Sequence, residues 1–187
     1  MSLNFKNPSR LLVWLYSFLC PLYGRPFYKE LLKALDIKGG ESILDFGSGA
    51  GILANKLIKD LTEEENLTCL DASSAFLNKT RRKLRKFDNV TFLLGDIREL
   101  NIQPGSFDII TISWVIHHLP KDALIEIVNA IVHTLKPEGR IYVIEYTSTP
   151  HGMLKADLIE LFKRVGLGAR TIHEKKNTIL LEFIKKH

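Results

Sequence analysis

The stretch ILDFGSGAGILANKL, residues 43–57, decides the fold. Apolar residues flank an acid, Asp45, and three glycines follow at alternate positions, Gly47, Gly49 and Gly51. Apolar residues then return at helical spacing. The pattern reads as a strand, a tight turn and a helix. Glycine lets such a turn take unusual φ/ψ values and lets backbone approach a ligand closely. The helix behind it offers N–H groups that have no intrahelical partner.

Outward from this turn the chain keeps a βα rhythm. ESILDF precedes the glycines; LTCLD, VTFLLGD, FDIITISWV and RIYVIEY read as further strands. FDIITISWV is too apolar for alternation, as expected of a strand covered on both faces. SSAFLNKTRRKLRKF, KDALIEIVNAIVHTL and a segment from about Met153 to Val165 read as helices, with KPEG ending the second. ARTIHE and TILLEFIKK read as a closing antiparallel hairpin. Strands alternating with helices imply a doubly wound α/β fold around a mostly parallel sheet. In such sheets ligands bind beyond the carboxyl ends of the strands, where strand order reverses. The chemistry is therefore expected after Phe46, Asp71, Gly95, Trp114 and Tyr146.

The spacing of the glycines selects among ligands. A dinucleotide site uses G-x-G-x-x-G to set a pyrophosphate on the helix N-terminus. Here the spacing is G-x-G-x-G, with Asp45 just before it. A carboxylate there opposes a pyrophosphate and favours a ligand with a cationic centre. S-adenosylmethionine has two such centres and no phosphate. Asp71, twenty residues past Gly51, stands where a carboxylate can accept ribose hydroxyls. Asp96, in the pair Gly95-Asp96, stands where an adenine amino group could donate.

Taken together, ILDFGSGAG, LTCLDASSAFL, NVTFLLGDI, FDIITISWVIHHL and LKPEGRIYVIEY resemble the class I S-adenosylmethionine-dependent methyltransferases, in the small-molecule "type 11" branch that includes quinone-biosynthesis enzymes. The resemblance runs over roughly residues 41–147. It implies a Rossmann-like seven-stranded sheet whose last strand is reversed, which the C-terminal hairpin would supply. It also implies roles. Asp45 and the turn of Gly47, Ser48, Gly49 and Gly51 would hold the methionine part, and Asp71 with Ala72 the ribose. Asp96 and the Ile97 backbone would face the adenine, and Ser113 and Trp114 would lie near the methyl-donor end.

The acceptor is less legible, because methyl transfer is an in-line displacement that asks the protein mainly for alignment and exclusion of water. His117, His118, His151, Glu145 and Tyr146 are the candidates near it. His118 is the expected general base, and Glu145 is expected to orient a neighbour. No His, Cys, Asp or Glu cluster has metal-ligand spacing, so no metal is expected.

The remaining signals bound the protein's class. The chain has 187 residues, 45% hydrophobic and 25% charged, ordinary for one globular domain. The formal net charge is +5, and the run KTRRKLRK (79–86) carries six basic residues; without them the rest stands at −1. The run is expected to be a solvated helix face, not a nucleic-acid site. Two cysteines, Cys20 and Cys69, fit a reducing cytoplasm.

The segment LLVWLYSFLCPLY (11–23) is too short to span a bilayer and has no A-x-A cleavage site. A buried helix from about Pro8 to Cys20 is expected, then a second helix in RPFYKELLKALDI. Residues 1–38 would form a helical arm and 39–187 the cofactor-binding core of a single domain. The arm would close as a lid over the donor and wall an apolar or aromatic small-molecule acceptor; contact with a membrane surface is its other reading. Rival functions are a cofactor-binding regulatory module without turnover, an RNA or protein methyltransferase, and an NAD-linked oxidoreductase, which the glycine spacing disfavours.

Overall fold

A computed structural model describes residues 24–148 and 152–185. The expected helix Pro8–Cys20 and His151 lie outside the described residues. Seven strands form one sheet: β1 (Ser42–Phe46), β2 (Asn66–Asp71), β3 (Val90–Leu94), β4 (Phe107–Ser113), β5 (Leu135–Tyr146), β6 (Leu167–Lys175) and β7 (Thr178–Lys185). Their order is β3-β2-β1-β4-β5-β7-β6. β1 pairs in parallel with both β2 and β4, so strand order reverses between β1 and β4. β7 runs antiparallel to β5 and to β6, as expected of the closing hairpin.

Helices cover both faces. Helix α1, described over 24–35, α2 (Ala54–Asp60) and α3 (Ser74–Leu84) share one apolar cluster with Ile43, Leu67, Ile109 and Tyr142. Helices α4 (Leu124–Thr134) and α5 (Lys155–Lys163) share the other with Leu44, Ile110, Ile141 and Phe183. Ile43 and Leu44, or Ile109 and Ile110, thus point to opposite faces and are fully buried on each. This is why β1 and β4 carry adjacent apolar residues instead of alternating. Among the described residues no helix is long and apolar enough to cross a membrane.

Strand β5 begins earlier than the sequence suggests. Leu135 already pairs with Phe107, and the register then jumps so that Arg140 pairs with Ile109. KPEG is therefore a bulge inside β5, not a loop before it. Gly139 permits it: a Cβ there would lie 2.6 Å from the Leu135 side chain.

Helix α1 is held at both ends. At its start Phe27 and Tyr28 meet the Trp114 indole edge-on, with centroids 6.5 and 5.4 Å away. At its end the Tyr142 hydroxyl lies 2.8 Å from the Ala34 carbonyl, and Arg140 donates to the Leu35 carbonyl at 2.9 Å. Leu31 and Leu35 are fully buried. The described part of the arm is thus a packed layer of the core.

Candidate active site

A cavity of about 410 Å³ opens at the carboxyl ends of the strands, at the β1/β4 reversal. Asp45, Gly47, Ser48, Gly49, Asp71 and Ala72 form one part of its wall. Asp96, Ile97, Ser113, Trp114 and His118 form another. Gly51 is not in the wall. Its positive φ of 68° brings it against α3, where a Cβ would lie 2.8 Å from the Thr80 side chain, so its role is packing the turn on the helix.

The turn is tied to its surroundings by residues that sequence motifs do not mark. Thr80 Oγ1 donates to the Gly49 carbonyl at 2.7 Å, and Lys83 Nζ to the Ala50 carbonyl at 2.6 Å. Both reach across from α3, some thirty positions away. The basic run is therefore a solvated face only in part. Arg81, Arg82, Lys83, Arg85 and Lys86 are all exposed, but the Lys83 ammonium bends back against the turn, where partial burial lowers its pKa. Asp71 closes the turn from the other side, accepting the Gly49 N–H at 2.7 Å and the Ser73 N–H at 2.8 Å. Burial nonetheless raises the Asp71 pKa against these two bonds.

Asp45 is only 2% exposed. Its Oδ1 accepts the Thr111 hydroxyl at 2.9 Å, and its Oδ2 has no partner among the described residues. Burial pushes the carboxyl up to about 7; the Thr111 hydrogen bond opposes the rise and the charge on Asp71 adds to it. Thr111, a polar residue inside the apolar run of β4, was the one sequence signal of this contact. Three further buried polar atoms lack a partner among the described residues: Ser48 Oγ, Ser113 Oγ and Trp114 Nε1. All four belong to cavity-wall residues, and buried polar groups normally find a partner.

At the far end of the wall, Arg98 grips Asp96 with two bonds, Nε to Oδ1 at 3.0 Å and Nη2 to Oδ2 at 2.7 Å, and reaches Glu126 at 3.2 Å. The wall thus carries three carboxylates and one guanidinium, itself paired. Such a wall repels pyrophosphate and suits a ligand with a cationic centre. The residues present fit S-adenosylmethionine.

The methyltransferase domain family matches residues 43–139, a little over half of the chain.

The chain belongs to the methyltransferase domain family.

Within it, the chain is similar to class I, S-adenosylmethionine-dependent enzymes, among them proteins named for quinone biosynthesis. The ubiquinone/menaquinone biosynthesis C-methyltransferase UbiE of Rickettsia prowazekii is 31% identical over 120 residues, which are 61% of this chain and 48% of that protein. The demethylmenaquinone methyltransferase of Lactobacillus johnsonii is 27% identical over 177 residues, 87% of this chain and 72% of that one. The chain thus spans about half the length of the first relative and most of the second. A TehB-like SAM-dependent methyltransferase from Corynebacterium glutamicum shares the fold, with a TM-score of 0.76 over 95% of this chain and 100% of that one at 19% identity.

At the β4 end of the methyltransferase cavity, Trp114 has a positive φ of 54°, uncommon for a bulky residue. Its N–H donates to the Ile144 carbonyl at 2.7 Å. Its indole is ringed by Phe27, Tyr28 and Tyr146. Beyond it a 3-10 turn, Ile116–His118, carries both histidines. Glu145 orients His117: its carboxylate takes the His117 ring Nδ1 at 2.5 Å and the His117 N–H at 3.2 Å. His118 is the one that lines the cavity. Burial, and then the neighbouring His117, lowers its pKa to about 4.

Proposed function

We propose that this chain transfers a methyl group from S-adenosylmethionine to a small, apolar or aromatic acceptor. The observation that carries the reading is the cavity wall, with three acids, a paired arginine and a buried Asp45 oxygen without a partner among the described residues. When bound, the cofactor supplies a methyl group on a cationic sulfur. Asp45 would hold the ammonium end, with Ser48 and Ser113 as hydroxyl partners. Asp71 would accept the ribose hydroxyls through the lone pairs that Gly49 and Ser73 leave. Asp96, fixed by Arg98, and the Ile97 backbone would face the adenine.

The acceptor would sit between the aromatic group around Trp114 and His118. That rim favours a ring, since aromatic pairs meet edge-on or offset at such separations. The relatives named for ubiquinone/menaquinone C-methylation and demethylmenaquinone methylation support a quinone-type ring. His118 would take the acceptor's proton. Positive charge leaves the sulfur as the methyl moves, so an imidazolium formed then keeps the charge of the cavity constant. Before transfer an uncharged His118 adds no repulsion to a cationic donor.

Helix α1 contributes Tyr28 to the cavity wall. The apolar sequence of residues 11–23 suits an apolar acceptor or a membrane surface that carries one. Residue types and cysteine usage support a cytoplasmic enzyme with no role for nucleic acid.

The test is turnover. The chain, S-adenosylmethionine carrying a labelled methyl group and a panel of hydroxyquinols and phenols should yield S-adenosylhomocysteine and a labelled ring. Tight cofactor binding with no turnover on any ring or on a cell extract would instead favour the regulatory module.

A further inference from the structure

Glu145 is fully buried at the end of β5. Three donors converge on it: the His117 ring Nδ1, the His117 N–H, and the Tyr146 N–H at 2.8 Å. Two of the three come from one residue of the 3-10 turn, so Glu145 fastens that turn to the sheet. A buried carboxylate needs such compensation. The bond also fixes the His117 tautomer, leaving a proton on Nδ1. The His117 ring in turn lies on the His118 ring, with centroids 3.8 Å apart and planes at 52°.

We propose that Glu145 and His117 form a positioning pair that presents His118 to the methyl acceptor as an uncharged imidazole. The proposal rests on the methyl-transfer reading above and adds two residues that act through a third. Glu145 sets the turn and the His117 ring. The His117 ring sets the plane of His118, and its nearness disfavours a positive charge there. Tyr146 packs on His117, and the titratable and charged groups that share the cavity wall with His118 are Asp45, Asp71, Asp96, Arg98 and Tyr28 of α1. Burial and then His117 act against an imidazolium, in line with the lowered His118 pKa. The consequence is chemical. A donor site that attracts cations through Asp45 would be opposed by a histidine charged before the reaction. The pair keeps His118 uncharged until the acceptor's proton reaches it.

The test is a nuclear magnetic resonance titration of ¹⁵N-histidine in the whole chain, which needs no acceptor. In the unsubstituted protein His118 should stay uncharged down to about pH 5. In His117→Asn, which keeps an N–H donor for Glu145, its midpoint should rise by about one pH unit or more. A purely structural role would leave the midpoint where it is in any variant that folds. The proposal is overturned if His118 of the unsubstituted protein titrates at the ordinary histidine value, a result that does not depend on any variant folding. It is also overturned if His117→Asn folds and leaves the midpoint unmoved. S-adenosylhomocysteine binding by the unsubstituted chain is measured in parallel. Its absence would sink the methyl-transfer reading whatever the histidines do.

Discussion

The Asp71 carboxylate accepts the Gly49 N–H at 2.7 Å, so the acid that ends β2 and the middle glycine of the turn after β1 hold one another. Asp71→Ala removes the proposed ribose partner and the acceptor of the Gly49 N–H together. Cofactor binding should weaken by about 2–4 kcal/mol, the loss of charge-assisted hydrogen bonds. Asp71→Asn keeps one carbonyl acceptor and should cost less. Calorimetry with S-adenosylhomocysteine measures both; an Asp71→Ala variant that folds and binds normally would remove Asp71 from the site.

Asp45 sets stability against binding. Its carboxyl sits near 7 in the folded protein, against an ordinary 3.8. The folded state therefore holds a proton that the unfolded state has released. That contribution is fully present below about pH 4 and is lost as pH rises through 7. Asp45→Asn should accordingly stabilise the protein without cofactor by about 2–4 kcal/mol at alkaline pH, while its affinity for the cofactor falls. Urea denaturation at about pH 8 reads the first effect. Unchanged stability there would show that the Asp45 carboxyl titrates normally.

The same group predicts a pH dependence of binding. A cation is held by the charged carboxylate, and the empty site must lose its proton to offer one. Affinity for S-adenosylhomocysteine, which keeps the ammonium, should be level above pH 7 and fall by up to about tenfold per unit below it. A flat profile between about pH 5 and pH 8 would mean that Asp45 does not meet the cation.

Much of this site was legible in the sequence, for a physical reason. Strand-end acids and a glycine turn are local, and the reversal at β1/β4 gathers them whatever joins them. The parts that were not legible are contacts between distant positions. Nothing near Thr80 or Lys83 announces that they hold Gly49 and Ala50; α3 has to be folded onto the turn first. Glu145 was expected to orient a neighbour, and the neighbour is His117 because the 3-10 turn points its backbone and ring at β5. The bulge at KPEG was hidden because proline and glycine after a helix also read as an ordinary loop. The sequence reading expects a lid in the arm; of that arm only residues 24–38 are described, and α1 within them is tied to β5 through Tyr142 and Arg140.

Lys83 offers a test of that hidden contact. Lys83→Met keeps the apolar stem and removes the donor to Ala50, and should weaken cofactor binding by about 1 kcal/mol. Arg82→Glu, an exposed neighbour in the same basic run, should leave binding unchanged. If both variants weaken binding equally, the effect comes from the charge of the run and not from the turn.

Gly47 is the tightest of the three glycines. Its φ is 69°, and a Cβ there would lie 2.4 Å from Val115 Cγ2. Gly47→Ala should cost about 2–4 kcal/mol, the sum of left-handed strain and overpacking. It should also disturb the Ile116–His118 turn that Val115 precedes. A denaturation midpoint like that of the unsubstituted protein would contradict the packing described for this turn.

The central claim is that a carboxylate-rich wall selects S-adenosylmethionine over a phosphate-bearing dinucleotide. Isothermal titration of the whole chain at about pH 8 with S-adenosylhomocysteine, and separately with NAD, tests it most directly. The account predicts binding of S-adenosylhomocysteine at least about a hundredfold tighter than NAD, a difference of about 2.7 kcal/mol. NAD binding as tightly as S-adenosylhomocysteine, or more tightly, would contradict it.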